Sequence, residues 1–349
     1  MRTSFRLLFV CAAATLLTAC GEGGPASAGT AGGDTTGPPP QSPYGATGAQ
    51  NVRVVPVEIE VIGLPEGWNG MRIAALSDFH LSMWPDNANV ARAAVERAIA
   101  EKPDVFVLLG DYVGSRRGDF TALDRVLAPL RGRTVFAVLG NEDMLEDPDE
   151  PDSLAILTRA ALARNGVQLL YNARARFIRN NDTAFIAGVD PYIARRPDWR
   201  RAEMYGGIPG GGSTPVLLAH MPVAALTVPT DKYPSVISGH TFCGQIEVPG
   251  TPRLTWVNTE LFPQEANAAS NRIYRVRGST LFVTCGLGFS FVPVRFGSPP
   301  EVAMITLRTV GGVQRDTAAA KGGVNVDSLI QQFTPDSART EEDTTADEG

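Results

Sequence analysis

Between residues 71 and 165 the chain alternates short apolar runs with stretches of helical spacing, and each run breaks off on polar residues. The stretch 71–80 reads as a strand that ends at Asp78-Phe79-His80. Asn87 to Ala100 places Val90, Ala94, Val95, Ala98 and Ile99 at helical intervals, with Asn87 or Asn89 able to cap. Asp104 to Leu109 is a second apolar strand and ends at Gly110-Asp111. A helix around Phe120 to Leu130 leads to a third strand, Thr134 to Leu139, which ends at Gly140-Asn141-Glu142-Asp143. A helix over about Ser153 to Asn165 completes the run. Strands separated by helices predict a parallel sheet, because parallel neighbours need long crossovers. Ligands of such sheets bind beyond the carboxyl ends of the strands, which is where these polar residues fall.

After Gly166 the pattern becomes strand-rich. Val167–Leu170, Ala173–Ile178 and Ala184–Val189 read as hairpins of a second sheet. Pro215 to Ala219 ends at His220, Val236-Ile237 ends at Gly239-His240, and Arg272 to Arg308 is again strand-rich. The expected fold is therefore α/β (α+β): two sheets face to face with helices outside.

The two ends read differently. Arg2, Arg6 and the apolar Leu7 to Leu17 make a leader too short to span a bilayer, closing on Leu17-Thr18-Ala19-Cys20-Gly21. That segment resembles the lipobox of bacterial lipoproteins, which implies a signal peptide over 1–19, lipidation at Cys20 and a chain anchored to a membrane on its extracytoplasmic side. Residues 20–50 are rich in Gly, Pro, Ser, Thr and Ala and read as a disordered tether. Residues 311–349 read as a disordered acidic tail, leaving 51–310 as the folded body. With a net charge of −6, nucleic-acid binding has no electrostatic support. Arg195, Arg196, Arg200 and Arg201 form a local basic cluster, read as a solvated loop or a contact to an anionic substrate. No protein partner can be inferred.

The chain has only 3 histidines, and all of them follow strand-like runs. Together with Asp78, Asp111 and Asn141, His80, His220 and His240 form a mixed nitrogen and oxygen set suited to first-row metals. A shared carboxylate such as Asp111 can bridge two ions, an arrangement used in phosphoryl hydrolysis. Other chemistries lack their parts. There is no Gly-x-Ser-x-Gly elbow, and the Gly206–Gly212 cluster lacks the Lys-Ser/Thr of a phosphate loop.

Asp78-Phe79-His80, Gly110-Asp111, Gly140-Asn141-Glu142-Asp143, Ala219-His220 and Gly239-His240-Thr241-Phe242 resemble the motif blocks of calcineurin-like metallophosphoesterases. Val216 to Pro222, and Gly286-Leu287-Gly288 through Pro293 to Phe296, resemble the small bacterial phosphodiesterase branch. The resemblance implies an αββα sandwich over 51–310 and two divalent ions (Mn, Fe, Zn or similar). It implies a metal-bound hydroxide attacking a phosphodiester or phosphomonoester. Metal 1 would take Asp78, His80 and Asp111; metal 2 would take Asp111, Asn141, His220 and His240.

Two family histidines are replaced. Glu142 stands where a histidine would stabilise the transition state, and a carboxylate there repels a phosphate ester while remaining able to bind an ion or orient water. Phe242 stands where metal 1 would find its fourth ligand, so that ion is expected to be weak or absent. For Cys243, next to the lost ligand, three readings stay open: a thiolate ligand, a small buried residue, or a disulfide to Cys285. Water could complete metal 1 instead. The alternative function is a catalytically weak member of the fold that binds a ligand or partner.

Overall fold

Residue-by-residue alternation in β2 (Arg72–Leu76) shows how the layers are built. Side chains of a strand point to opposite faces in turn. Ile73 and Ala75 accordingly join one apolar cluster, and Ala74 and Leu76 another. Strand β2 can be buried on both faces only if layers cover both, and this is what a computed structural model of the chain shows. It describes residues 48–114, 118–144, 153–189, 191, 213–228, 232–248, 251–255, 272–276, 278–290 and 292–310.

The first sheet adds β1 (Arg53–Val61), β3 (Val105–Leu108), β4 (Val135–Ala137), β5 (Gln168–Leu169) and β14 (Glu301–Thr309) to β2, in the order β1-β14-β2-β3-β4-β5. Strands β2 to β5 run parallel, whereas β14 is antiparallel to β2 and parallel to β1. The second sheet comprises β6 (Ala173–Arg179), β7 (Asp182–Gly188), β8 (Val216–Leu218), β9 (Ser235–Ser238), β12 (Ile273–Val276) and β13 (Ser279–Val283). Its order is β12-β13-β9-β8-β7-β6, with the four central strands parallel and each edge strand antiparallel to its neighbour. A two-stranded ribbon of β10 (Glu247–Val248) and β11 (Thr251–Thr255) lies outside both.

Three apolar clusters define four layers. Val105, Val107 and Phe136 of the first sheet meet Ile186, Val216, Leu218 and Phe282 of the second between the sheets. The outer face of the first sheet, with Leu76, Phe106 and Leu108, is covered by α1 (Pro85–Ala100), α2 (Phe120–Leu127) and α3 (Ser153–Arg164). The outer face of the second, with Leu217, Val236 and Leu281, packs against the short α4 (Ala224–Thr227). The expected αββα sandwich is the fold. Burial of these apolar faces, at about 25 cal/mol per Å², is its main stabilising term.

Local details correct parts of the sequence reading. Helix α1 begins at Pro85, whose missing N–H costs nothing in a first turn, and Trp84 rather than Asn87 or Asn89 is its N-cap. Asn87 instead turns inward: its Nδ2 donates to the carbonyls of His80 at 2.8 Å and Phe289 at 3.1 Å, and its Oδ1 accepts from Phe289 N at 2.9 Å. Asp119 caps α2 through Ala122 N at 2.8 Å, and α2 stops before Pro129. Val167–Leu170 does not enter the second sheet; β5 extends the first beside β4, because α3 returns the chain as a crossover.

The leader, Cys20, residues 20–47 of the expected tether, the acidic tail, the Arg195–Arg201 cluster and the Gly206–Gly212 loop lie outside the described residues. Residues 49 and 50 of the tether form a short turn with Asn51, and Arg97 donates to the Gln50 carbonyl. Among the described residues, no helix is long and apolar enough to cross a membrane.

Candidate metal centre

Each candidate residue sits just past the carboxyl end of a strand: Asp78 and His80 after β2, Asp111 after β3, Asn141 after β4, His220 after β8 and His240 after β9. The two sheets end at a common rim, and His220 joins them there, its Nδ1 lying 2.8 Å from the carbonyl oxygen of Leu109. A carbonyl only accepts, so Nδ1 carries the proton and Nε2 presents its lone pair. That lone pair faces Asp111 Oδ2 at 3.1 Å, Asn141 Oδ1 at 3.1 Å and His240 Nδ1 at 3.2 Å. Once Nε2 of His220 and Nδ1 of His240 have given up their protons, these four electron-rich atoms repel unless a metal cation lies among them. Ligands held about 2.0–2.2 Å from one ion are spaced in this way.

A second set adjoins the first through Asp111. His80 Nε2 lies 3.4 Å from Asp111 Oδ2 and 4.0 Å from Asp78 Oδ1. Asp78 Oδ1 and both ring nitrogens of His80 are buried and have no hydrogen-bond partner. Unpaired buried polar atoms cost stability, and a metal ion would satisfy Asp78 Oδ1 and the Nε2 of His80. Asp111, His220 and His240, and separately Asp78, His80 and Asp111, each bring their ligand atoms within 4.8 Å of one another. The donor set and the unsatisfied atoms therefore fit divalent ions, with Asp111 common to both groups.

Holding this arrangement strains the backbone. Asp78, His80, Asp111 and His240 have φ of 58°, 45°, 54° and 72°, a left-handed region that side chains with a Cβ rarely enter. Asp111 is also packed against Gly140, where an added Cβ would come within 2.0 Å of Asp111 Oδ1. That oxygen accepts from Glu142 N at 2.9 Å.

Asp143, the last residue of the Gly140-Asn141-Glu142-Asp143 motif, organises the turns that carry the ligand candidates. Its buried carboxylate accepts from Gly140 N, Asp111 N and Tyr112 N, each at 2.8 Å, and from Val113 N at 3.3 Å. It locks the turn bearing Asp111 to the turn bearing Asn141. An acid that directly follows the Gly-Asn-x turn was the available signal. Glu142 is exposed at the rim, with Asn141 Nδ2 3.3 Å from its Oε1. Phe242 is buried with its ring 5.1 Å from that of His80, so carbon and not a donor atom faces His80 on this side. Cys243 is not a free thiolate ligand: it forms a disulfide with Cys285, which removes the metal-ligand reading of this residue.

Electrostatics follow from placing these groups out of water. Burial opposes charge on His220, yet the adjoining Asp111 carboxylate pushes its pKa up to about 9. Burial likewise disfavours charged His80, but Asp111 and Asp78 raise it above its ordinary value. Asp111 resists its own burial because His220 and His80 hold its carboxyl well below the usual range. Burial raises Asp78, and burial with the neighbouring Asp111 pushes Asp143 up to about 7 against its backbone donors. Without a metal, protons take the place of the cation.

Residues 71–243 match the family model of calcineurin-like phosphoesterases. The domain belongs to that family. Among its relatives, the transmembrane protein with metallophosphoesterase domain of Danio rerio is 30% identical over 281 residues, covering 74% of this chain. This chain spans 58% of that relative's length. The uncharacterized metallophosphoesterase YkuE of Bacillus subtilis is 25% identical, with 70% of this chain and 82% of YkuE covered. Phosphodiesterase YaeI of Escherichia coli is 26% identical, covering 68% of this chain and 82% of its own.

The raised histidine pKa fixes a sign. Its contribution in the metal-free protein is fully present below the unfolded value near 6.5 and is lost as pH rises through about 9. Urea unfolding in excess chelator should therefore show stability falling from pH 6.5 to 9, by on the order of 2–3 kcal/mol at most. Mn²⁺ affinity should rise over the same interval, because a proton competes for the site. Stability that climbs with pH in chelator would show that Asp111 does not bear on His220 as described.

Proposed function

We propose that the chain is a metal-dependent phosphoesterase hydrolysing a phosphodiester or phosphomonoester at the rim described above. The observation that carries this is the His220 Nε2 lone pair, 3.1–3.2 Å from the electron-rich atoms of Asp111, Asn141 and His240. Divalent ions, when bound, would supply Lewis-acid charge for the phosphoryl oxygens and acidify water. Asp111, Asn141, His220 and His240 would hold one ion, and Asp78, His80 and Asp111 the other. The protein's own part is to keep these donors fixed before substrate arrives. Asp143 and the glycine at 140 locate Asp111, and the Leu109 carbonyl keeps the His220 lone pair pointing inward.

The set containing Asp78 and His80 is the weaker. Its separations are longer, at 3.4 and 4.0 Å, and Phe242 adds no donor. Glu142, exposed at the rim, would repel an approaching phosphate ester. That single observation favours the second reading, a metal-binding member of the family with little turnover.

Protein comprising residues 51–310, loaded with Mn²⁺, would be analysed for metal and assayed on bis-p-nitrophenyl phosphate and p-nitrophenyl phosphate. The expected result is bound metal and turnover that falls at least a hundredfold in Asp111→Ala, about 3 kcal/mol of transition-state stabilisation. Turnover that survives Asp111→Ala would sink the proposal. Bound metal without turnover on either ester would leave the second reading standing in its place.

The proposal includes an exported, lipid-anchored chain. The Cys243–Cys285 disulfide supports it, since disulfides persist in oxidising compartments. Mass spectrometry of the mature protein should find Cys20 as a lipid-carrying N-terminus; an unprocessed residue 1 would exclude the anchor.

A further inference from the structure

Asp78 lies between two backbone walls. One is the Gly239–His240 turn, whose His240 N donates to Asp78 Oδ2 at 3.1 Å and where a Cβ on Gly239 would come within 2.8 Å of the same oxygen. The other is Gly286, where an added Cβ would lie 2.7 Å from it. The walls extend from neighbouring strands, β9 and β13, and Thr284 N still reaches Ser238 O at 2.8 Å. Beyond that bond the Cys243–Cys285 disulfide joins them, with Cα atoms 4.7 Å apart. It links the residue just before Gly286 to a loop whose backbone is left-handed at His240, Phe242, Cys243 and Gln245. Such a loop holds its shape only when its surroundings impose it.

Phe242 gives the disulfide a more specific meaning. A histidine at 242 would bind this loop to Asp78 and His80 through the ion they share. The phenyl ring packs 5.1 Å from the His80 ring and cannot do so. One residue further on, the same loop is fastened covalently.

We propose that the Cys243–Cys285 disulfide is a positioning element of the metal centre. It takes over the tie that a ligand at 242 would provide, and it keeps His240 and Asp78 in place for their ions. This rests on the metal-site reading above.

The test is Mn²⁺ affinity by titration calorimetry, with folding followed by circular dichroism. Cys243→Ser combined with Cys285→Ser should bind Mn²⁺ at least tenfold more weakly than wild type, the scale found when supports behind metal ligands are removed. Adding Phe242→His to that background should recover affinity, a result that loss of general stability cannot give. If the double variant does not fold, the wild-type protein is reduced with phosphine below its melting temperature, with thiols counted, and the same tenfold loss is expected. A folded, disulfide-free protein that binds Mn²⁺ as wild type does would overturn the proposal. So would failure of Phe242→His to recover affinity. Wild type that binds no metal would overturn the metal-site reading, and this inference with it.

Discussion

The Asp111 carboxylate is the point on which the centre depends. One oxygen is held by Glu142 N, the other approaches both His80 and His220, and its backbone N–H is fixed by Asp143. These contacts come from the ends of three strands, β2, β4 and β8, so Asp111 can serve both groups only if the rim of the first sheet is in register with that of the second. The 2.8 Å contact from His220 to the Leu109 carbonyl sets that register. Layer packing therefore reaches the site directly: the apolar alternation that buries both faces of β2 and β3 also brings their polar ends together.

Much of this was legible in the sequence because it depends on short-range pattern. Buried strands read as apolar runs, crossovers as helical spacing, and the three histidines announced the site by where those runs stop. What was not legible depends on long-range geometry. Val167–Leu170 carries the same apolar signal in either sheet, and only the return of the crossover helix decides for the first. Asn87 looked like a cap because cap residues are polar and precede helices, but Pro85 starts the helix earlier and the amide serves the His80 carbonyl instead. Asp143 could be seen but not assigned, since its four backbone donors come from two turns 30 residues apart in the chain. For Cys243 the sequence left three readings open, and the proximity of Cys285 resolved them.

The two halves of the centre differ in kind. Around His220 the donor atoms are close, 3.1–3.2 Å from its Nε2, and either a proton or a metal ion must sit among them. Around His80 they are farther apart, and buried atoms are left without partners. Phe242 contributes to the difference, since its ring offers no donor and places carbon against the His80 ring. The strained backbone at Asp78, His80, Asp111 and His240 runs through both halves, so the same local strain holds both groups.

The central claim is that Asp111 is shared between two cation sites of unequal strength. Anomalous diffraction from crystals grown with Mn²⁺ tests it most directly. The account predicts a strong peak among Asp111, Asn141, His220 and His240, and a weaker one, about 3.5–4 Å away, beside Asp78 and His80. An empty rim, or a dominant peak at Asp78 and His80, would contradict it.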